Sequence, residues 1–288
     1  MKFVDTLREL HIPYRESGHE HCRVGWIQLD CPRCAVKDHF RLGYNISSHY
    51  MNCWHCGRLN VVEVLAELSG RPAKEVARLF KDLDRPTIKR TVIRRNLKLP
   101  KGLKPLSERH SQYLQNRGYD PLKIVRLWGV LGIETVPLRL AWRLFIPIHL
   151  EGDVVSWTTR SIAHDAHVRY LSASMEEESV PHKELLYGAD YARASIVVVE
   201  GPLDVWSIGP GAVATCGVGY SQKQLLRMVD YPVRTVCFDN EPKAQQRARR
   251  LADALSMYPG VTYNVTLDAK DPGSATPQEI RQLRRTCL

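Results

Sequence analysis

From residue 195 onward, short apolar runs alternate with stretches of helical period. Ser195–Val199, Ala212–Thr215, Arg234–Phe238 and Val261–Leu267 read as strands, and Pro202–Ile208, Ser221–Val229, Pro242–Met257 and Pro277–Arg285 read as helices. Strand–helix alternation predicts a parallel sheet covered by helices. Upstream, Leu144–Leu150 and Val154–Thr159 are β-rich runs joined by Glu151-Gly152-Asp153, a hairpin signal. Ser107 is placed to cap a helix that ends at Gly118, and Asp120-Pro121 to open another. Nearer the start, Asn60-Val61-Val62-Glu63 has the form of a capping box. The helix behind it carries Val61, Val62, Val64, Leu65 and Leu68 on its inner side and stops at Gly70. Pro72 starts a second helix, striped by Val76, Leu79, Phe80 and Leu83.

One stretch fits neither rhythm. From Arg85 to Lys104 there are eight basic residues and no acidic one, among Pro86, Pro100 and Gly102. Regular structure is disfavoured there. A solvated tether and a strap that contacts phosphates, with Arg94 and Arg95 as candidate template contacts, both fit it. The expected organisation is therefore a small cysteine-bearing module over 1–83, a basic linker over 84–106, a mixed α+β region over 107–194 and a parallel α/β region over 195–288.

The net charge of +10, at a sequence pI near 9.3, favours a polyanionic partner, because each phosphate contact releases counterions. No apolar run approaches the roughly 18 residues that span a bilayer. The opening Met1–Glu9 carries acidic residues where a signal peptide needs an apolar core. A cytoplasmic protein with reduced thiols and no membrane partner is the expectation.

Of the eight cysteines, four form two pairs, Cys31-Pro-Arg-Cys34 and Cys53-Trp-His-Cys56, separated by 18 residues. Each pair puts two thiolates on one tight turn, and two such turns complete a tetrahedron around Zn²⁺. A single C-x-x-C is equally a redox pair; two at ribbon spacing argue for one structural zinc. His39, His49 and His55 lie near enough to replace a cysteine, but four thiolates already close the site.

In parallel α/β sheets ligands bind at the carboxyl ends of strands. Ile196–Val199 runs into Glu200-Gly201-Pro202-Leu203-Asp204, and Thr235–Phe238 runs into Asp239-Asn240-Glu241. Asp268 and Asp271 follow the next strand. Carboxylates gathered at one edge repel unless cations sit between them, and Mg²⁺ takes oxygen ligands and bridges to phosphates. Helix N-capping accounts for one such acid well and for three or more poorly.

These two acidic runs resemble the Toprim domain shared by bacterial-type primases, topoisomerases of types IA and II and some nucleases. Residues 31–57 resemble the zinc ribbon of phage primases. Between them, Tyr113-Leu114 with Arg117-Gly118-Tyr119, Phe145-Ile146-Pro147-Ile148, Trp157-Thr158-Thr159-Arg160, Arg169-Tyr170-Leu171 and Lys183 with Leu186-Tyr187-Gly188 are similar, in the same order, to runs of the primase polymerase core. The resemblance implies a DNA primase that makes short RNA primers on single-stranded DNA from nucleoside triphosphates. It implies Glu200 as the acid/base glutamate, Asp239 as a direct ligand of Mg²⁺ or Mn²⁺, and Glu241 where many members have an aspartate. Asp204 and Asp271 would support the metal site, and Arg160 and Lys183 would contact nucleotide or template. Two departures stand out. Gly273 occupies a place where many members have another acid, which implies a looser second metal, and Lys243-Ala244 replaces a common Ala-Gly. No G-x-x-x-x-G-K-[ST] loop occurs, so the replicative helicase expected beside such a primase is a separate protein. The competing readings are a non-catalytic zinc-ribbon DNA-binding protein with a Toprim core, and a Toprim nuclease. A topoisomerase needs a tyrosine nucleophile in a large additional domain.

Overall fold

The computed structural model describes residues 3–20, 22, 24–34, 39–46, 50–79, 94–217 and 219–288. Among the described residues the strands form three sheets.

The first belongs to the cysteine module. After α1 (Phe3–Glu9), strands β1 (Trp26–Leu29), β2 (Leu42–Asn45), β3 (Met51–Cys53) and β4 (Gly57–Leu59) pair antiparallel in that order, and α2 (Val61–Ser69) and α3 (Ala73–Leu79) follow. Asn60 Oδ1 accepts from the N–H groups of Val62 and Glu63 at 2.9 and 3.3 Å, and Gly70 ends α2 with φ of 68°. Val61, Val62, Val64 and Leu65 are buried as their spacing predicts, against Leu29, Leu42 and Met51. Nothing in the sequence rhythm signals α1 or β1; α1 is held by burial of Leu7 and by the Phe3 ring stacked on Tyr44 at 3.5 Å.

The second sheet comprises β5 (Leu103–Lys104), then, after α4 (Glu108–Gln115) and α5 (Pro121–Trp128), β6 (Leu131–Ile133), β7 (Arg143–Leu150), β8 (Asp153–Ser161) and β9 (Tyr170–Ser172), antiparallel in chain order. Glu151 and Gly152 make the hairpin turn between β7 and β8, both at positive φ, and their N–H groups donate to the Asp190 carboxylate. The basic segment is bound to this sheet from Arg94 onward. The Arg95 N–H donates to Ser179 O at 2.9 Å, the Lys98 N–H to Glu177 O at 2.8 Å, and Trp157 Nε1 to Lys98 O at 3.0 Å. The described part is therefore no free tether; Phe80, Leu83, Arg85, Lys89 and Arg90 lie outside the described residues.

The third sheet is all parallel, in the order β11-β10-β12-β13, built from β10 (Ser195–Val199), α6 (Pro202–Ile208), β11 (Ala212–Ala214), α7 (Gln222–Val229), β12 (Val233–Val236), α8 (Pro242–Ser256), β13 (Val261–Asn264) and α9 (Pro277–Cys287). The strand–helix alternation places each of these elements, although β12 and β13 end sooner than their apolar runs.

The cysteine module packs on this sheet at the starts of its strands. Val233 and Val261 join the module's apolar core, and Asn60 Nδ2 donates to Gly260 O at 2.9 Å. Lys74 Nζ adds a bond to Thr286 O at 2.9 Å. The carboxylates predicted at the strand ends lie at the opposite end of β12. No helix among the described residues is long and apolar enough to cross a membrane.

Candidate active site and metal centre

A cleft of about 330 Å³ opens where the carboxyl end of the parallel sheet meets the antiparallel sheet. Glu200, Asp204, Asp239 and Asp271 line one side, and Arg117, Arg160 and Arg169 line the other, with Thr158, Tyr170 and Ser172. Each acid owes its place to a strand end. β10 delivers Glu200, and the turn Gly201-Pro202 starts α6, whose first turn holds Asp204. Asp204 accepts from Gly201 N at 3.1 Å and from Gly273 N at 3.2 Å. After β12, the Cys237 N–H still donates to Val198 O, so the chain runs straight into Asp239. Gln245 Nε2 then donates to the carbonyls of Phe238 and Asp239 at 3.2 and 3.0 Å, and Asn240 Nδ2 to Leu267 O at 2.9 Å. The substitution of Lys243-Ala244 for Ala-Gly leaves this turn closed, with Ala244 buried and Gln245 N bonded to Glu241 O.

Burial, and then the charges of Asp239 and Asp271, push the Asp204 carboxyl up to about 7. Burial, and then Glu200, Asp271 and Glu241, push Asp239 up to about 6. The cluster is thus electrostatically overfilled with negative charge, the condition a divalent cation relieves. Gly273 bears on the same balance. A Cβ there would sit 3.2 Å from Asp271 Oδ1 and 3.3 Å from Asp204 Oδ1, and its N–H already serves Asp204. An acidic side chain there would add repulsion to the cluster; glycine adds none and leaves the backbone N–H bonded to Asp204.

The cationic side is rigid. Arg160 Nε donates to Tyr113 Oη at 3.1 Å, and its guanidinium lies 4.8 Å from the Tyr170 ring centre. Buried Arg143 donates to the carbonyls of Val168 and Arg169 at 2.7 and 3.3 Å, fixing the segment that carries Arg169. Lys183 stands at the rim, its Nζ donating to Cys216 O at 3.0 Å, and Cys216 is itself in the lining.

Some expected residues lie elsewhere. Glu241 precedes α8 without a side-chain capping bond, exposed, 3.3 Å from Lys270 Nζ, and does not line the cleft. Arg94 pairs with Asp153 and Glu151 at 2.7 and 3.1 Å beside the hairpin turn, and neither it nor Arg95 reaches the cleft lining. Asp268 is exposed outside it. Arg117 and Arg169 line the cleft without being among the residues expected there from the sequence. Their only signal in the sequence is membership of the runs similar to the primase core.

The second site is the cysteine cluster. The Sγ atoms of Cys31, Cys34, Cys53 and Cys56 all lie within 4.8 Å of one another, with Cys31–Cys56, Cys34–Cys53 and Cys34–Cys56 separations of 3.9, 3.6 and 3.4 Å. Thiolates about 2.3 Å from a tetrahedral zinc stand roughly 3.8 Å apart, so the donor set fits. The His55 N–H points at Cys53 Sγ at 3.5 Å, the kind of donor that steadies a metal-bound thiolate. His39 and His55 line a groove beside the cluster with Asp30, Arg33 and Arg41. His49 lies outside the described residues.

No family model matches the sequence, and no curated protein matches it. Among solved structures, the DnaG primase catalytic domain bound to ssDNA is similar, with a TM-score of 0.52, 16% identity, and coverage of 64% of this chain and 73% of that one. The DnaG catalytic core gives 0.52, 16%, 64% and 74% on the same measures. The zinc-binding and RNA polymerase domains of the Aquifex aeolicus primase give a TM-score of 0.52 and 17% identity, covering 100% of this chain and 83% of that one. At these identities the likeness is one of architecture, and it extends from end to end: this chain has the fold of a primase zinc-binding module joined to a primase-type core.

Proposed function

We propose that the chain is a DNA primase, a nucleotidyltransferase that joins ribonucleotides into short primers on single-stranded DNA. One observation carries this reading: a single cleft sets four carboxylates against three arginines. That arrangement suits phosphoryl chemistry, because the acids hold divalent cations and the arginines receive phosphates. Glu200, Asp204, Asp239 and Asp271 would hold Mg²⁺ or Mn²⁺, with Glu241 a candidate reached only by movement of its side chain. Bound there, such cations stabilise charge on the transferring phosphoryl group and on the leaving pyrophosphate. Glu200 takes the proton of the attacking 3′-hydroxyl. Arg117, Arg160, Arg169 and Lys183 orient the triphosphate and the template backbone.

The zinc module selects the start site, with Asp30, His39 and Arg41 as base and phosphate contacts on its groove; Arg33 there is already paired with Glu63 and Glu67. A primase of this design works in the cytoplasm of a bacterial or phage-infected cell, beside a replicative helicase. The similar DnaG domain was solved with ssDNA, which agrees with the template class proposed here.

The test supplies labelled nucleotides, Mg²⁺ or Mn²⁺ and random single-stranded DNA. Template-dependent oligomers are expected, and Glu200→Ala and Asp239→Ala should each reduce them at least ~100-fold, the scale of losing one acid–base or electrostatic contribution. Binding of single-stranded DNA should persist in both variants. Degradation of the DNA would instead identify a nuclease, and tight binding without oligomers under any metal would identify a binding protein.

A further inference from the structure

Glu200 is not held by the cleft alone. Arg247, on the second turn of α8, reaches it from outside the cleft lining, with Nη2 lying 3.1 Å from Oε1 and 3.4 Å from Oε2. The pair is largely shielded, the two side chains being 31% and 22% exposed. The Nε of the same guanidinium is buried with no hydrogen-bond partner among the described residues. Arg247 thus gives up one hydrogen bond, and the geometry directs its charge to Glu200. The backbone that carries it is fixed, because Ala244, Ala248 and Leu251 seat α8 on the sheet.

We propose that Arg247 is a positioning residue that holds the Glu200 carboxylate toward α8 and, through its charge, weakens the grip of the cleft on a divalent cation. The inference rests on the reading of the acidic cluster as a cation site. Without a cation, the guanidinium neutralises one of four crowded carboxylates. When a cation enters, it must share Glu200 with a fixed positive charge a few ångströms away. Even with water-like screening, a unit charge about 6 Å away changes the affinity for a divalent ion by roughly tenfold. The protein then holds the cation weakly by itself and strongly only when nucleotide phosphates add their oxygens, so the cation and the triphosphate are taken up together.

The experiment measures Mn²⁺ binding to the zinc-loaded full chain by electron paramagnetic resonance, in wild type, Arg247→Gln, Arg247→Lys and Asp239→Asn. Arg247→Gln retains length and one donor for Glu200 but loses the charge, and should bind Mn²⁺ about tenfold more tightly. Arg247→Lys retains the charge and should stay within about threefold of wild type. Addition of a nucleoside triphosphate should tighten Mn²⁺ binding less in Arg247→Gln than in wild type. Thermal melting verifies the fold, and Arg247→Met, which fills a similar volume, replaces Arg247→Gln if that variant unfolds. Unchanged or weaker binding in the neutral variants overturns the proposal, as does a lysine variant that moves as far as the glutamine one. Asp239→Asn separates the two ideas: it should lose Mn²⁺ binding, and if it binds as wild type does, the cation reading of the cleft falls and this inference with it.

Discussion

The crowding of carboxylates in the cleft predicts that the metal-free protein is held back by its own site. Asp239 titrates at about 6 in the folded chain, against about 3.9 in an unfolded one. The sign follows from which state holds the proton more tightly. The folded state does, so lowering the pH favours folding. The destabilisation is fully present above the folded value, fades as pH falls through about 6, and is gone below about 4. A difference of that size between the folded and unfolded chain corresponds to about 3 kcal/mol at most, and partial exposure with mutual coupling reduces this to about 1 kcal/mol. Asp239→Asn removes the charge while keeping the shape, and no side-chain hydrogen bond of Asp239 stands to be lost among the bonds that shape this turn. The variant should therefore be more stable than wild type by about 1 kcal/mol near pH 7.5 in metal-depleted buffer, or roughly 2 °C in melting temperature. Near pH 4.5 most of the gain should vanish, because wild type is then itself protonated there. Saturating Mg²⁺ should narrow or reverse the difference by binding the wild-type cluster. Differential scanning fluorimetry at the two pH values decides it. A variant less stable than wild type at pH 7.5, or an equal gain at both pH values, would refute the electrostatic reasoning.

The zinc module offers a second check: the protein should carry about one zinc per chain, and Cys53→Ala should release it and increase hydrogen exchange over the described part of residues 3–79 before the core changes. Removing residues 1–83 should abolish start-site selection while sparing extension of a supplied primer, and it should also uncover Val233 and Val261, visible as increased binding of a hydrophobic dye. Trp157→Phe leaves Lys98 O without its donor and shrinks a fully buried ring, which should cost about 1–3 kcal/mol and speed proteolysis between residues 94 and 104.

Much of the fold is legible because local chemistry and tertiary demand agree. β10 is buried on both faces of the parallel sheet, so it reads as an uninterrupted apolar run, and Ser195–Val199 appears at the predicted residues. Asn60, Asp120 and Ser221 cap their helices through their own side-chain oxygens, so the starts of α2, α5 and α7 are visible in the sequence. The misses have the opposite character. β5 is two residues long and exists because Leu103 and Lys104 pair with Ile133 and Gly132; nothing local demands it. The basic run from Arg85 to Lys104 reads as unstructured because it has neither a helical nor a strand period. Its described part is bound by backbone bonds to Ser179 and Glu177, one indole N–H, the Arg94 ion pairs and the β5 pairing, none of which leaves a periodic trace. β12 and β13 stop short of their apolar runs because Phe238 and Leu267 lie beyond the ladder, their apolar character serving the packing of two separate core clusters instead.

The same distinction separates the two sides of the cleft. Glu200 and Asp239 come from neighbouring strand ends of one sheet, which the order of strands and helices reveals, while Asp204 in the first turn of α6 and Asp271 in the segment after β13 join them through local bonds such as Gly273 N to Asp204. The arginines come from the end of α4, from β8 and from the residue before β9, and only the packing of one sheet against the other makes them neighbours. Arg117 and Arg169 therefore have no spacing to betray them. Arg94 shows the converse situation: its place in a basic run points to template, and the structure sets Glu151 and Asp153 of a hairpin turn against its guanidinium. A cation with carboxylate partners must give them up before it can bind phosphate, whereas Arg160, held by Tyr113 Oη and the Tyr170 ring face, keeps its charge uncompensated. Partner type therefore gives a criterion for phosphate binding that sequence clustering does not. By that measure Arg117, Arg160 and Arg169 stand ahead of Arg94, because none of the three forms an ion pair with a carboxylate among the described residues, and all three open onto the acids that would hold the metal.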